Sequence, residues 1–209
     1  MSVPEQRTPA FRRGSLFVLR PAPTLVAMPS VFCHAVAALA LARYAPTGVY
    51  GPRLAIGCML SAAVPDLDAL GHACGIPYDS LFGHRGITHS VAFAAVWSVL
   101  IGHILSKPRD RPWYMGLLFL STCSHPLLDM CTNGGLGCAL WAPFRTERMF
   151  FPWRPIEVSP LSVVRFFAAD GWRVVRSEAL WIGFPSMAVF LLAWSLRKRP
   201  QRKATTFAP

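Results

Sequence analysis

The chain has 209 residues, of which 53% are hydrophobic and only 15% charged, and its formal net charge is +11. Soluble domains carry about 25% charged residues, so this composition disfavours a water-soluble fold and indicates a membrane protein. The positive charge lies in short clusters between apolar runs, such as KPRDR at 107–111 and LRKRPQRK at 196–203. Such clusters are typical of loops beside membrane helices. No basic helical stripe interleaved with aromatics is present, so nucleic-acid binding is not expected.

The first 27 residues differ from the rest of the chain. Residues 1–27 mix arginines with prolines, and their apolar run GSLFVL is too short for a signal sequence. We therefore expect a disordered basic tail, or an over-long start with Met28 as the initiator. Residues 28–196 would form a membrane-embedded domain, and residues 197–209 a basic C-terminal tail.

Five apolar segments follow the tail, at about 31–45, 54–70, 88–106, 113–130 and 180–196. At about 1.5 Å per residue they would span roughly 22–28 Å, which is short for a bilayer core of about 30 Å. The first two segments are the weakest spanning candidates. We predict an all-α fold, a multi-pass transmembrane bundle of about four to five membrane helices.

A long stretch, residues 131–178, separates the fourth segment from the fifth. It begins with glycines (NGGLG) and continues with aromatic and basic residues (WAPFRTERMFFPWRP). This mixture suits a loop at the lipid–water boundary, and an ordinary folded loop is the alternative. Arg145 and Arg148 fit either a phosphate clamp or side chains that reach toward the interface, and we favour the latter.

Polar residues occur at the ends of the first four apolar segments in a regular alternation. They begin the first, end the second, begin the third and end the fourth. If these segments are antiparallel neighbours, all of these residues lie on one membrane face. The residues concerned are His34, Asp66, Asp68, His84, Arg85, His89, His125 and Asp129. Ionisable groups within a membrane are costly, so such a set is a candidate functional site.

The residue types at this face match a divalent metal. Imidazole and carboxylate ligands without thiolate favour a catalytic site for zinc, with manganese or iron as alternatives. We predict His34, Asp66, His84, His89, His125 and Asp129 as metal ligands, for one or two ions. Asp68 would act as the general base, and Arg85 would stabilise charge in the transition state. The six cysteines form no CxxC pair, so neither a disulfide framework nor a cysteine zinc site is expected.

The spacing of these residues predicts local geometry. His125 and Asp129 are four residues apart and share one helix face. Asp66 and Asp68 would diverge in a regular helix, but Pro65 could break the helix there. Thr88 is placed to cap the third segment, and Gly86 would permit a tight turn before it.

Each of these residues also has a purely structural interpretation. His34 could be a core histidine, and His125 with Asp129 could be a buried pair that joins helices. We expect His103 to lie at the opposite interface and His72 to be an ordinary loop residue.

Four motifs in order resemble the YdjM-like family of membrane-bound proteins, described as metal-dependent hydrolases. They read MPSVFCH (28–34), PDLD (65–68), HRGITHS (84–90) and HPLLDMCT (125–132), and WAPF (141–144) is similar to a later family pattern. The resemblance covers roughly residues 28–156. It implies an inner-membrane protein with a hydrolase site, and by position the same ligand set together with Asp68.

We therefore expect a membrane-bound metal-dependent hydrolase acting on a lipid-linked or membrane-proximal ester, most simply a phosphoester. Membrane lipids would be its partners. The alternatives are a metal or proton transporter, a haem protein, and a non-catalytic metal-binding membrane protein. More basic residues lie opposite the polar face once the tail is set aside, which favours a cytoplasmic C-terminus and an outward-facing site.

Overall fold

The computed structural model describes residues 31–158 and 171–198, and these residues are helical or irregular. The predictions for the N-terminal tail and for most of the C-terminal tail lie outside the described residues. The helices are α1 (Val31–Ala42), α2 (Pro52–Ala63), α3 (Asp68–Ala73), α4 (Val91–Leu105), α5 (Arg111–Met130), α6 (Gly171–Glu178) and α7 (Phe184–Lys198). The all-α prediction is confirmed.

The packed centre of the bundle is formed by α1, α2 and α5. Most of its buried side chains are small, and the cluster comprises Ala38, Ala42, Ala45, Leu54, Cys58, Ala62, Tyr114, Leu117 and Leu118. Small residues let helix backbones approach closely, which is how helices associate where lipid removes the usual hydrophobic driving force. The α4 helix packs on α5, and α7 packs on α1.

Short irregular turns interrupt the helices next to the polar residues. A 3₁₀ turn at Val64–Leu67 joins α2 to α3, and a second one at Ile87–His89 precedes α4. The helix break expected at Pro65 is therefore present. Thr88 does not cap α4, because the cap is Ser90, whose hydroxyl accepts a hydrogen bond from the Phe93 amide at 3.0 Å. Ser90 is the residue that directly precedes the helix, whereas Thr88 lies in the 3₁₀ turn before it.

The last helical region begins earlier than predicted. It starts at Gly171 in α6, passes through a π turn at Ala179–Gly183 and continues as α7. Residues 131–158 form a folded irregular segment with two isolated bridges, Thr132 with Ile156 and Cys138 with Met149. This segment packs on the polar residues, as the next section describes.

Within the described residues, two helical stretches are long and apolar enough to cross a membrane, Pro52–Gly71 and Gly171–Arg197. The helices Val31–Ala42 and Val91–Leu105 are apolar but shorter. Large apolar side chains are exposed on α4 and α7, among them Val96, Ile104, Phe184 and Met187. Such faces suit contact with lipid. The count of four to five membrane helices stays a prediction.

The contact between α4 and α5 depends on Gly102. A Cβ at Gly102 would lie 2.6 Å from Met115 Cγ and 3.3 Å from the Met115 amide nitrogen, whereas a Cβ at Gly116 would meet nothing within 4 Å. We predict that Gly102→Val lowers the free energy of unfolding in detergent by about 1–3 kcal/mol through overpacking. Thermal unfolding measures this loss, with Gly116→Val as the matched control. Equal stability of the two variants would contradict the described packing.

Candidate metal centre

The structure brings the eight polar residues together at one end of the bundle. They come from α1, from the turn between α2 and α3, from the loop before α4 and from the end of α5. Six have no exposed surface, and the other two are 8% and 9% exposed; the set is His34, His84, Arg85, His89, His125 and Asp129, with Asp66 and Asp68. All eight residues singled out in the sequence therefore meet in one buried cluster.

Four donor atoms in this cluster surround a common point. His125 Nε2 lies 3.1 Å from His89 Nε2, 3.2 Å from Asp66 Oδ1 and 3.7 Å from Asp129 Oδ2. His89 Nε2 lies 3.4 Å from Asp129 Oδ2 and 3.9 Å from Asp66 Oδ1. Ligands placed about 2.0–2.1 Å from a tetrahedral zinc ion are roughly 3.3 Å apart. These four residues could hold a metal ion.

The donors themselves indicate that a cation belongs among them. The oxygens of Asp66 and Asp129 are buried, and their near neighbours among the described residues are imidazole nitrogens and the Arg85 guanidinium. Buried carboxylates are normally paired, hydrogen-bonded or coordinated to metal. Asp129 has Arg85 as an ion-pair partner, with Nε 3.0 Å from Oδ2, and Asp66 faces the imidazoles. The donor set therefore fits a divalent ion.

The two imidazoles of this group are oriented by bonds at their other nitrogens. His125 Nδ1 lies 2.6 Å from the carbonyl oxygen of Ala62, in the last turn of α2, where helix carbonyls lack intrahelical partners. His89 Nδ1 lies 3.1 Å from Asp68 Oδ2. If both Nδ1 atoms carry hydrogens, the two Nε2 atoms face each other as acceptors, and only a proton or a cation between them makes the contact favourable.

The carboxylates beside His89 also favour a proton on its ring. Asp68 Oδ2 lies 3.1 Å from Nδ1, and Asp129 Oδ2 lies 3.4 Å from Nε2. A metal that binds at Nε2 would compete with a proton there, as is general for histidine ligands.

Asp68 has both of its oxygens occupied by donors from the loop before α4. Oδ1 lies 2.5 Å from His84 Nδ1, and Oδ2 accepts from the Arg85 amide at 3.1 Å, the Thr88 hydroxyl at 2.5 Å and His89 Nδ1 at 3.1 Å. This pattern is typical of a carboxylate that orients metal-binding histidines. Asp68, His84 and His89 are also close enough together to form a second possible metal-holding group.

Asp66, predicted as a metal ligand, lies in the 3₁₀ turn at Val64–Leu67 and joins the four donors. Asp68 begins α3 and contacts Nδ1 of His84 and Nδ1 of His89. The two carboxylates therefore approach opposite nitrogens of His89, since Asp66 Oδ1 lies 3.9 Å from its Nε2.

Arg85 is fully buried, and its guanidinium is bound within the protein. Besides the ion pair with Asp129, Nη1 donates to the carbonyl of Gly134 at 3.0 Å and Nη2 lies 3.4 Å from the Thr132 hydroxyl. Burial lowers the pKa of Arg85, but the Asp129 carboxylate outweighs it, and the net shift is upward. The φ of Arg85 is +61°, a left-handed conformation that costs a non-glycine residue on the order of 1–3 kcal/mol.

The loop that carries Arg85 has no room for a side chain at Gly86. A Cβ there would lie 2.2 Å from the carbonyl oxygen of Leu81. The φ of Gly86 is −87°, so close approach of the backbone, and not a positive φ, requires the glycine. The tight turn expected at Gly86 thus places its positive φ at the preceding residue, Arg85.

Arg148 holds this loop against the segment that follows α5. Its Nη1 donates to the carbonyl of His84 at 2.8 Å, and its Nη2 donates to those of Tyr78 at 2.9 Å and Ser80 at 3.1 Å. The expectation that Arg148 reaches toward the interface is therefore wrong, because backbone carbonyls inside the protein bind its guanidinium. Sequence spacing gave no signal for this contact across 64 positions. Arg145, in contrast, is exposed, and so is His103 at the far end of α4.

These observations define an all-helical membrane protein with a buried histidine–aspartate cluster that could hold a metal ion. The chain belongs to the YdjM inner membrane protein family, whose model matches residues 28–201. It is 35% identical over 178 residues to the inner membrane protein YbcI of Escherichia coli strain K12, a match that covers 82% of this chain and 100% of that protein. No solved structure matches the chain.

We predict that Arg148→Ala destabilises the protein by about 2–3 kcal/mol, because four carbonyls lose a charged donor. Thermal unfolding of the detergent-purified protein measures the effect. Arg154→Ala is the control, since that guanidinium is exposed and lies over the Phe150 ring at 4.8 Å. If the two variants unfold at the same temperature, Arg148 does not hold the loop.

Proposed function

We propose that this protein is a membrane-bound metal-dependent hydrolase acting on a lipid-linked or membrane-proximal phosphoester. The observation that supports it most is the convergence of four donor atoms, from Asp66, His89, His125 and Asp129, within 3.1–3.9 Å of one another over the measured pairs. Two imidazoles and two carboxylates without thiolate are typical of catalytic and not of structural zinc, and manganese or iron would also fit.

The proposed reaction assigns a role to each side chain around these donors. A divalent ion held there would polarise a phosphoester oxygen and lower the pKa of an adjacent water toward neutrality. Arg85 offsets the charge of Asp129 and keeps that carboxylate in place. Asp68 fixes the tautomer of His89 so that Nε2 faces the metal-binding position.

The proton acceptor in this proposal differs from the one expected in the sequence. Asp68, predicted there as the general base, has both oxygens engaged by donors. His84, predicted as a ligand, has Nδ1 held by Asp68, while its Nε2 is buried without a hydrogen-bond partner among the described residues. We therefore propose that His84, oriented by Asp68, accepts the proton of the attacking water, as in other carboxylate–histidine pairs.

The segment 131–158 supports a lipid as the substrate. It is tied to the cluster by backbone bonds from the Ala139 amide to the Arg85 carbonyl and from the Val91 amide to the Leu140 carbonyl, both 3.0 Å long. The same segment exposes Trp141, Phe144 and Trp153, aromatic residues of the kind that lies at the lipid–water boundary. Membrane lipids are therefore the proposed partners, with the site facing outward and the C-terminus in the cytoplasm.

The first test removes metal ligands. We predict that His125→Gln and Asp129→Asn each abolish metal retention and phospholipid hydrolysis in detergent, because each takes a ligand from the proposed set. Metal content by mass spectrometry and release of the phosphorylated headgroup are the measurements. His103→Gln, a change in an exposed histidine, should leave both unchanged. Zinc uptake into sealed vesicles without turnover would favour a transporter instead.

The second test separates the two roles considered for Asp68. We predict that Asp68→Asn weakens metal affinity about 10–100-fold, the usual loss when an orienting partner of a ligand is removed. Competition with a fluorescent chelator measures the affinity. Unchanged affinity with a loss confined to turnover would contradict the orienting role of Asp68 toward His89 and would restrict Asp68 to the proton transfer, as the base or as the partner of His84.

A further inference from the structure

A group of basic side chains lies at the end of the bundle opposite the candidate metal centre. That centre is built at the start of α1 and the end of α5, so the end of α1 and the start of α5 lie at the other end. The basic residues at these helix ends, at the end of α7 and in the nearby loops are Arg43, Arg53, Lys107, Arg109, Arg111 and Arg197. Asp110 is the one acidic residue that the structure describes among them, so positive charge is in excess there.

Arg43 has hydrogen-bond donors that the protein leaves unused. Its Cζ lies 4.6 Å from the centroid of the Tyr50 ring and 5.6 Å from the centroid of the Phe190 ring. Aromatic rings attract a guanidinium, but they do not satisfy its five N–H donors. Its Nε is buried and has no hydrogen-bond partner among the described residues. A buried donor in this state is costly unless an acceptor from outside the chain reaches it.

Arg197 brings a second positive charge to the same aromatic ring. Its Cζ lies 4.8 Å from the Tyr50 centroid, and its Nη2 donates to the carbonyl of Ala45, just beyond the end of α1. Two like charges beside one half-buried ring repel each other. A bound anion would remove this repulsion and would supply Arg43 with an acceptor. Guanidinium groups bind phosphate through pairs of parallel N–H···O bonds, which makes a phosphate group suitable.

The neighbouring side chains place the two arginines at the lipid–water boundary. Tyr44 follows Arg43 directly and is exposed, and Trp194 is exposed one helical turn before the end of the apolar stretch Gly171–Arg197. Exposed tyrosine and tryptophan are enriched at this boundary, where the phosphate groups of phospholipids also lie. The same stretch exposes Leu191, an apolar surface of the kind that contacts an acyl chain.

We propose that Arg43 and Arg197 form a headgroup site for one anionic phospholipid, at the end of the bundle opposite the candidate metal centre. Arg43 donates to the lipid phosphate from Nε, and Arg197 adds the second positive charge. Tyr50 holds the two guanidiniums beside each other. Basic pockets between membrane helices bind anionic headgroups in this way. The site requires no metal ion and no hydrolysis, so it is independent of the proposed function.

The experiment measures lipid binding to the full-length protein in detergent by native mass spectrometry. Phosphatidylglycerol is the anionic probe, and phosphatidylcholine, whose choline cancels the phosphate charge, is the comparison. We expect the unaltered chain to retain one phosphatidylglycerol and to bind phosphatidylcholine much more weakly. Arg43→Gln should weaken phosphatidylglycerol binding about 10–100-fold, as expected for the loss of charge-assisted hydrogen bonds.

Arg109→Gln is the matched control for the loss of one positive charge. Arg109 lies at the same end of the bundle, in the loop between α4 and α5, and its side chain is exposed. Its removal should weaken binding by no more than about fivefold, the effect of one basic residue near an anionic surface. Thermal unfolding verifies that both variants are folded. Arg43→Lys, which keeps the charge but loses the planar donor set, should bind with intermediate affinity.

Three results would overturn the proposed site. The first is equal retention of the two lipids by the unaltered chain, a comparison that requires no variant to fold. The second is an equal loss of binding in folded Arg43→Gln and Arg109→Gln, which would mean that the basic charge acts diffusely. The third is displacement of the lipid by micromolar inorganic phosphate, which would make a free phosphate the occupant instead of a phospholipid.

Discussion

The free-energy cost of burying Asp129 is the constraint on which this structure depends. A carboxylate without solvent exposure at the end of a helix bundle needs positive charge, and the protein supplies Arg85 together with three imidazoles within 3.7 Å of its oxygens. Removing one partner of a buried ion pair destabilises a protein by more than the intact pair stabilises it, because the remaining charge is left uncompensated. The loop before α4, the end of α5 and the start of α1 are therefore held together by one side chain.

A helix irregularity lies next to that carboxylate. Asp66, in the 3₁₀ turn after α2, and Asp68, at the start of α3, both reach His89, although a regular helix would separate two such residues by about 200°. The end of α2 also leaves the Ala62 carbonyl for His125. Interruptions of this kind are tolerated at membrane depth where they line a protein-enclosed site.

The sequence predicted much of the helical fold and the membership of the polar cluster, because both follow from periodicity and from alternation of polar ends. His125 and Asp129 could be paired from their spacing alone. The contacts that determine the role of each side chain could not be predicted, since they depend on the direction of side chains that are far apart in the sequence. Examples are Arg148 with the loop at Tyr78–His84 and the choice of Ser90 over Thr88 as a cap.

Arg85 shows how closely the protein itself organises the site. Its left-handed φ is unfavourable, yet its amide donates to Asp68, its carbonyl accepts from Ala139, and its guanidinium contacts Asp129 and Gly134. A strained backbone conformation of this kind persists only where several surrounding contacts hold it in place, and it is common at functional sites. Of the groups in these bonds, only Asp129 belongs to the four proposed metal donors, so most of the bonds that fix the loop are independent of a metal ion. A metal ion would then meet preformed ligands, and its binding free energy would go into coordination instead of loop ordering.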